Sequence, residues 1–180
     1  DKLTEGAQEL FHEAQDLLTR YKHNQLDVEH IFYVLATKEG IGRDILQEMG
    51  VNLAGLAKDL DLLLRDKPTV SGPVGTQIYI TPRLDAVVNG AQMEAERLKD
   101  EFIGVDHILL SIARTVDPKL KRVLDRHGIT PEAIYNALRN VRGEQRVTDR
   151  TPEDRYQVLK KYSTNLTEMA KRGELDPVIG

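Results

Sequence analysis

The sequence predicts an all-α fold of pseudo-twofold duplicated four-helix units, followed by a linker and one further helix, and two observations carry that expectation. An acid-histidine-apolar stretch, Val28-Glu29-His30-Ile31-Phe32, returns 77 residues later as Val105-Asp106-His107-Ile108-Leu109. Around each copy, apolar stripes, caps and a terminating glycine recur at nearly the same offset, so the repeat is architectural.

The elements follow in order. Thr4 is a favourable N-cap for a first helix in which Ala7, Leu10, Phe11, Ala14, Leu17, Leu18 and Tyr21 form one apolar stripe. Asp27 caps a second helix, with Val28, Ile31, Phe32, Leu35 and Ala36 facing inward, and Gly40 and Gly42 are expected to close it. A third helix is expected from about Arg43 to Met49, ending at Gly50, and Asn52 caps a fourth through Leu56, Leu60, Leu63 and Leu64. Pro68, Gly72, Pro73 and Gly75 make residues 66–80 a linker between halves.

The second unit restates the first. Thr81 followed by Pro82 starts a stripe of Leu84, Val87, Val88, Ala91, Ala95 and Leu98, each 77 after its counterpart. One extra residue near Asp117-Pro118 moves the later matches to 78, so Gly128 answers Gly50 and Leu138 answers Leu60. The repeats span 1–65 and 78–141 of a domain over residues 1–143, and neither encloses a core alone, so the boundary between them is a candidate groove. A charged linker over 144–150 precedes a ninth helix that begins at Thr151-Pro152-Glu153-Asp154, carries Tyr156, Leu159, Leu166, Met169 and Ala170, and has no evident partner in residues 1–141.

Composition excludes several classes. The 180 residues contain no cysteine, which rules out disulfides and thiolate zinc sites and fits a reducing compartment. No window approaches the roughly 20 apolar residues of a membrane span. The net charge of -4 argues against a nucleic-acid surface. The basic cluster Lys119, Lys121, Arg122, Arg126 and His127 is interrupted by Asp117, Asp125 and Glu132, so it reads as a solvated face. No glycine is followed by lysine, so a phosphate-cradling Walker A loop is missing from these residues. There is no His-Glu-x-x-His, and adjacent residues on a helix point about 100 degrees apart, so Glu29-His30 and Asp106-His107 are not convergent catalytic or metal pairs. The histidines read as half-buried packing residues. The carboxylates sit in helix first turns, where the macrodipole favours them.

The Thr-started first helix and the acid-His-Ile/Leu second helix, stated twice, resemble the Clp (Hsp100) N-terminal domain over residues 1–143. The run Arg146-Val147-Thr148-Asp149, Pro152-Glu153-Asp154, Leu159-Lys160-Lys161-Tyr162, Asn165-Leu166-Thr167 and Gly173-Glu174-Leu175-Asp176-Pro177-Val178-Ile179-Gly180 looks like the linker and entry to the first AAA+ module of ClpB-type disaggregases. That resemblance implies a substrate-binding domain, not itself an enzyme, that captures unfolded or aggregated polypeptides, or adaptor proteins, for an ATP-driven hexamer. It implies ATP and Mg in the parent protein and no cofactor in this fragment, with Val178 and Ile179 beside the adenine, a monomeric fragment of a homohexamer, and a cytoplasmic setting without nucleic-acid or membrane partners.

By the same resemblance Thr4, Asp100 and Asp106 match positions linked to substrate handling in ClpB-type domains. Glu29 and Asp106 match the paired acids with which ClpC-type domains hold arginine or phosphoarginine, and two carboxylates exposed at related helix starts can each receive a guanidinium. The ClpC-type pattern Val-Gly-Thr-Glu-His is altered here, since Val28 and Val105 replace the threonine and Asp27 replaces the first glycine. The extra acid beside Glu29 disfavours a phosphate. Two other readings stand beside this one: an adaptor-docking domain of a ClpC/ClpA-type unfoldase, and a helical nucleic-acid-binding regulator.

Overall fold

A computed structural model of the chain describes residues 2–74, 77–143, 148 and 150–153. Among them are eight helices and two very short strands: α1 (Glu5–Tyr21), β1 (Gln25–Leu26), α2 (Val28–Thr37), α3 (Ile41–Glu48), α4 (Leu53–Arg65), β2 (Tyr79–Ile80), α5 (Pro82–Arg97), α6 (Val105–Ala113), α7 (Pro118–Arg126) and α8 (Pro131–Arg142). The all-α expectation holds, and the caps named from the sequence, Thr4, Asp27, Asn52 and Thr81, stand at the starts of α1, α2, α4 and α5. Thr4, Asn52 and Thr81 each accept from the backbone N–H three residues on, and Asp117 and Thr130 do the same for α7 and α8. Gly50 and Gly128, where a left-handed residue is needed past a helix end, have φ of 79° and 67°.

The halves are tied by a reciprocal exchange that periodicity could not reveal. Leu26 of β1 pairs in parallel with Ile80 of β2, and Leu3 pairs in parallel with Ile103. A shift of 77 carries Leu26 to Ile103 and Leu3 to Ile80. Each half therefore lends its leading residues to the loop before the other half's central helix. The stretch expected to be only a linker, 66–80, ends in one of these strands.

One apolar cluster fills the molecule, with members from all eight helices. Helices α2 and α6 lie in its middle, where Ile31, Phe32, Ile108 and Leu109 are completely buried. Each such side chain contributes about 1.5–3 kcal/mol relative to exposure. The boundary between repeats, expected as a candidate groove, is packed along α3, which lies against α6 and α8, and where α2 meets α6.

Two expectations about α3 change with it. The helix starts at Ile41, ahead of Arg43, and Gly42 lies inside it without closing α2. The reason is close approach, because a Cβ at Gly42 would stand 2.5 Å from Leu35 Cγ and 3.1 Å from Val105 Cγ1. The ninth helix is described only at Pro152 and Glu153. Its remaining residues, like most of the 144–150 linker and Val178 and Ile179, lie outside the described residues. What is described does have a partner in residues 1–141: Glu153 is buried against Thr4, Gly6 and Val105.

Helix propensity alone makes Gly42→Ala stabilising by about 1 kcal/mol. The buried Leu35 cannot withdraw freely, so overpacking wins, and urea denaturation should show a net loss of about 1–3 kcal/mol. An unchanged or raised midpoint contradicts that packing.

Candidate functional site

Helices α2 and α6 begin inside the core, so their first N–H groups need partners from the protein. In both, the third helical residue is a histidine that reaches back. His30 Nδ1 accepts from the Asp27 N–H at 3.0 Å, and His107 Nδ1 accepts from the Gly104 N–H at 2.8 Å. Both rings are completely buried, so the half-buried packing role expected for them becomes a capping role.

Because Nδ1 is an acceptor in each neutral ring, Nε2 carries the proton. Here the copies part. His30 Nε2 lies 2.9 Å from Nδ1 of His23, whereas His107 Nε2 lies 2.7 Å from Oδ2 of Asp100, the residue equivalent to His23. Burial, together with His23 and Lys67, lowers the His30 pKa to about 4. Burial works against the charged form of His107 too, but Asp106 and Asp100 outweigh it and hold its pKa above the ordinary value.

The first site is an ion-pair cluster at the start of α2. Asp27 Oδ1 accepts from the Val28 N–H and the Thr81 hydroxyl, both at 2.8 Å. Arg83 holds Glu29 with two hydrogen bonds of 3.0 and 3.1 Å and reaches Asp27 at 2.9 Å, while Lys67 lies 2.8 Å from Asp27 and 3.0 Å from Glu29. Burial opposes ionisation of Asp27, yet the Lys67, Val28 and Thr81 contacts hold its pKa below the usual carboxylate value.

The second site, at the start of α6, gathers Thr4, Asp100 and Asp106. Arg142 donates to Asp106 Oδ2 at 3.1 Å and to Asp100 Oδ1 at 2.7 Å. Gly104 has no side chain to cap with, and Glu153 fills that place. Its Oε2 accepts from the Val105 N–H at 3.2 Å and from the Thr4 hydroxyl at 2.8 Å. Burial, and then the charge of Asp106, push the Glu153 carboxyl up to about 7.

The expected site residues are thus divided between two sites and concealed. Thr4, Glu29, Asp100 and Asp106 are 0%, 3%, 9% and 1% exposed. The expectation that Glu29 and Asp106 are exposed carboxylates awaiting a guanidinium is corrected: each already holds one, from Arg83 and Arg142. Both cations lie far along the chain, and sequence spacing gave no sign of them. The basic cluster on α7 is likewise partly engaged: His127 and Arg126 contact Asp59 of α4 at 2.7 and 3.1 Å, and Lys119 pairs with Asp66. Among the described residues no group of three or more His, Asp or Glu side chains is placed to hold a metal ion.

A further feature was missed in the sequence. Between α5, α6 and the loop before α7 lies an open groove of about 550 Å³, with Val28, Val87, Met93, Val116 and Pro118 on its walls. Met93 and Val116 are 56% and 89% exposed. Buried Glu94 braces one side, accepting from Arg97, Arg114 and the Tyr135 hydroxyl. The available signal was that Met93 lies off the repeating stripe and Val116 beside the one-residue insertion.

Two titrations follow. By NMR, the His30 ring should remain neutral down to about pH 4, while His107, beside Asp106 and Asp100, should gain its second proton at higher pH than His30 does and in doing so give up the Gly104 N–H bond to Nδ1. The stability contributed by neutral His30 is present above pH 6.5 and lost as pH falls through 4, and that of His107 is present below 6.5 and lost as pH rises through its raised value. Parallel titration of the two rings contradicts the assignment. For Glu153 the docked carboxyl titrates near 7 against 4.5 when free, so docking is favoured below pH 4.5 and weakens as pH rises through 7. The groups facing it are Thr4 from the α1 cap and Asp106 from α6, with Glu9, Glu13, Lys38 and Glu39 around the adjoining depression. The Val105 amide shift should follow that profile, and a flat shift across this range contradicts it.

Comparison with known proteins identifies the family and the fold. The model of the Clp repeat (R) N-terminal domain matches residues 2–127. Chaperone protein ClpB of Nitratidesulfovibrio vulgaris is 38% identical over 99% of this chain and 21% of its own length, and that of Clostridium tetani 35% identical over 100% and 21%. The chain spans about a fifth of the length of these curated relatives. Among solved structures, the Hsp104 N-terminal domain from Candida albicans superposes with a TM-score of 0.69 at 18% identity, covering 85% of this chain and 99% of that one. A complex of the ClpV N-domain with a VipB peptide gives 0.59 at 18% identity, covering 77% and 85%. The matched model, the ClpB relatives and the duplicated helix starts together show that this chain belongs to the Clp repeat N-terminal domain family.

Proposed function

We propose that this chain is the substrate-receiving domain of an ATP-dependent protein disaggregase, capturing unfolded or aggregated polypeptide for threading by an AAA+ hexamer. The observation that carries this is the exposed apolar groove between α5, α6 and the α6–α7 loop, which keeps large side chains such as Met93 and Val116 in solvent. Exposed apolar surface of this kind suits a client recognised by composition, and the flexible thioether of Met93 adapts to varied partners. The peptide-bearing ClpV N-domain complex supports such a role for this fold. Weak binding at each domain would be compensated by multivalency in a hexamer.

Thr4, Asp100 and Asp106 at the second site, and Glu29 at the first, are proposed to act on clients through these buried clusters. A client guanidinium would exchange with Arg83 or Arg142. ATP and Mg would be held by the AAA+ module of the parent protein, with Val178 and Ile179 near the adenine, in a cytoplasmic environment.

The test is a titration of the chain with an unfolded, carboxymethylated model protein. Replacing the two exposed groove residues together, Met93→Glu and Val116→Asp, should leave the unfolding temperature unchanged and weaken binding about tenfold or more, the scale of two lost apolar contacts. Equal affinities for the parent chain and this variant would overturn the groove assignment.

A further inference from the structure

The two helix starts use one chemistry delivered from different places. At α2 the capping carboxylate comes from the N-cap residue itself, Asp27, whose Oδ1 accepts from the Val28 N–H and the Thr81 hydroxyl. The residues 77 positions on are Gly104, Val105 and, reciprocally, Thr4. There the same two donors meet Oε2 of Glu153, which lies 48 residues beyond Val105. Glu153 occupies the place of a side chain that Gly104 lacks.

The cradle has room only because two residues have no side chain. A Cβ at Gly104 would stand 2.7 Å from Glu153 Oε2, and a Cβ at Gly6 would stand 2.9 Å from its Cδ and Oε1. The residue equivalent to Gly6 is Arg83, whose side chain fills the corresponding space at the first site. The incoming segment is held at a second point as well. The Arg150 carbonyl accepts from the Glu5 N–H at 2.7 Å, and its guanidinium donates to the Leu3 carbonyl at 2.9 Å and lies 4.8 Å from the Phe102 ring centroid. Glu153 Oε1 is buried without a hydrogen-bond partner, an imperfection that lowers the cost of exchanging this ligand for another.

We propose that Thr4, Gly6, Gly104 and the Val105 N–H form a subsite for the carboxyl side chain of a glutamic acid in an extended peptide, with Glu153 as its resident ligand. Residues 150–153 then compete with an acidic residue of a client for the same place. The identity of that competitor rests on the client-capture reading above, whereas the carboxylate subsite does not. Its ligand chemistry is opposite to that of the guanidinium-accepting acids beside it: Asp106 accepts from Arg142, whereas the subsite offers two donors, the Val105 N–H and the Thr4 hydroxyl.

The test uses the whole chain and its Glu153→Ala variant, with a blocked pentapeptide of sequence Arg-Thr-Pro-Glu-Asp as probe and the same peptide with Gln for Glu as control. Measured at pH 6, Glu153→Ala should bind the Glu peptide about tenfold or more tightly than the parent chain does, and this affinity should weaken as pH rises through 7, whereas the Gln peptide has no such proton to lose and should bind independently of pH over that range. The Val105 amide should shift on binding. Adding Gly6→Ala to Glu153→Ala should abolish binding while the unfolding temperature holds or rises, since alanine favours α1 and obstructs only the cradle. Equal binding by parent and Glu153→Ala, the same pH profile for the Glu and Gln peptides, or persistence with Gly6→Ala would each overturn the subsite. If the Glu peptide binds as expected and no unfolded protein does, the subsite stands and the client-capture reading falls. If the unfolded protein binds and the peptide does not, the subsite falls alone.

Discussion

Two helices that begin in the middle of a hydrophobic core impose the constraint on which the rest of this structure depends. The first backbone N–H groups of α2 and α6 cannot reach water, and an unsatisfied buried donor costs about 1–3 kcal/mol. The protein answers with a histidine at the third helical position, an acid before or beside the helix start, and then cations to neutralise the acids. The exchanged strand pairs bring the donors of one half to the helix start of the other. Thr81, leading the second half, serves Asp27, and Thr4, leading the first, serves Glu153 beside α6.

Duplication supplied one device and divergence made it two. His23 against Asp100, Asp27 against Gly104 and Arg83 against Gly6 are the changes that matter, because each alters the charge or the volume at a buried position. The first helix start is capped by its own Asp27 and carries an imidazole pair, His23 and His30, in which burial lowers both pKa values. The second carries an imidazole biased toward its charged form by two carboxylates and is completed by residues beyond α8. Buried ion pairs of this type contribute little net stability, since desolvation offsets attraction, but they hold geometry tightly.

What could be foreseen depended on range. Thr4, Asn52 and Thr81 declared themselves as caps because the bond each makes closes within three residues, and the apolar stripes declared the helices for the same local reason. Gly42 was misjudged because glycine marks a helix stop as often as a close contact, and only the approach of Leu35 and Val105 distinguishes the two. Glu29 and Asp106 were expected in solvent because a first-turn carboxylate is ordinarily exposed. Their partners Arg83 and Arg142 lie 54 and 36 residues away, at distances no periodicity reports.

By itself, then, the sequence determined the duplication, the helices, most of their caps and the family resemblance, all of which rest on patterns within a turn or two or on a direct repeat. The tertiary structure decided which acids are buried, which histidine is neutral, where the open groove lies, and that Glu153 stands in for the side chain missing at Gly104. Ionisation and exposure are set by whatever the fold brings within a few ångströms, and the fold here draws some of those neighbours from the other half of the chain: Thr81 and Arg83 at α2, and Thr4 at α6.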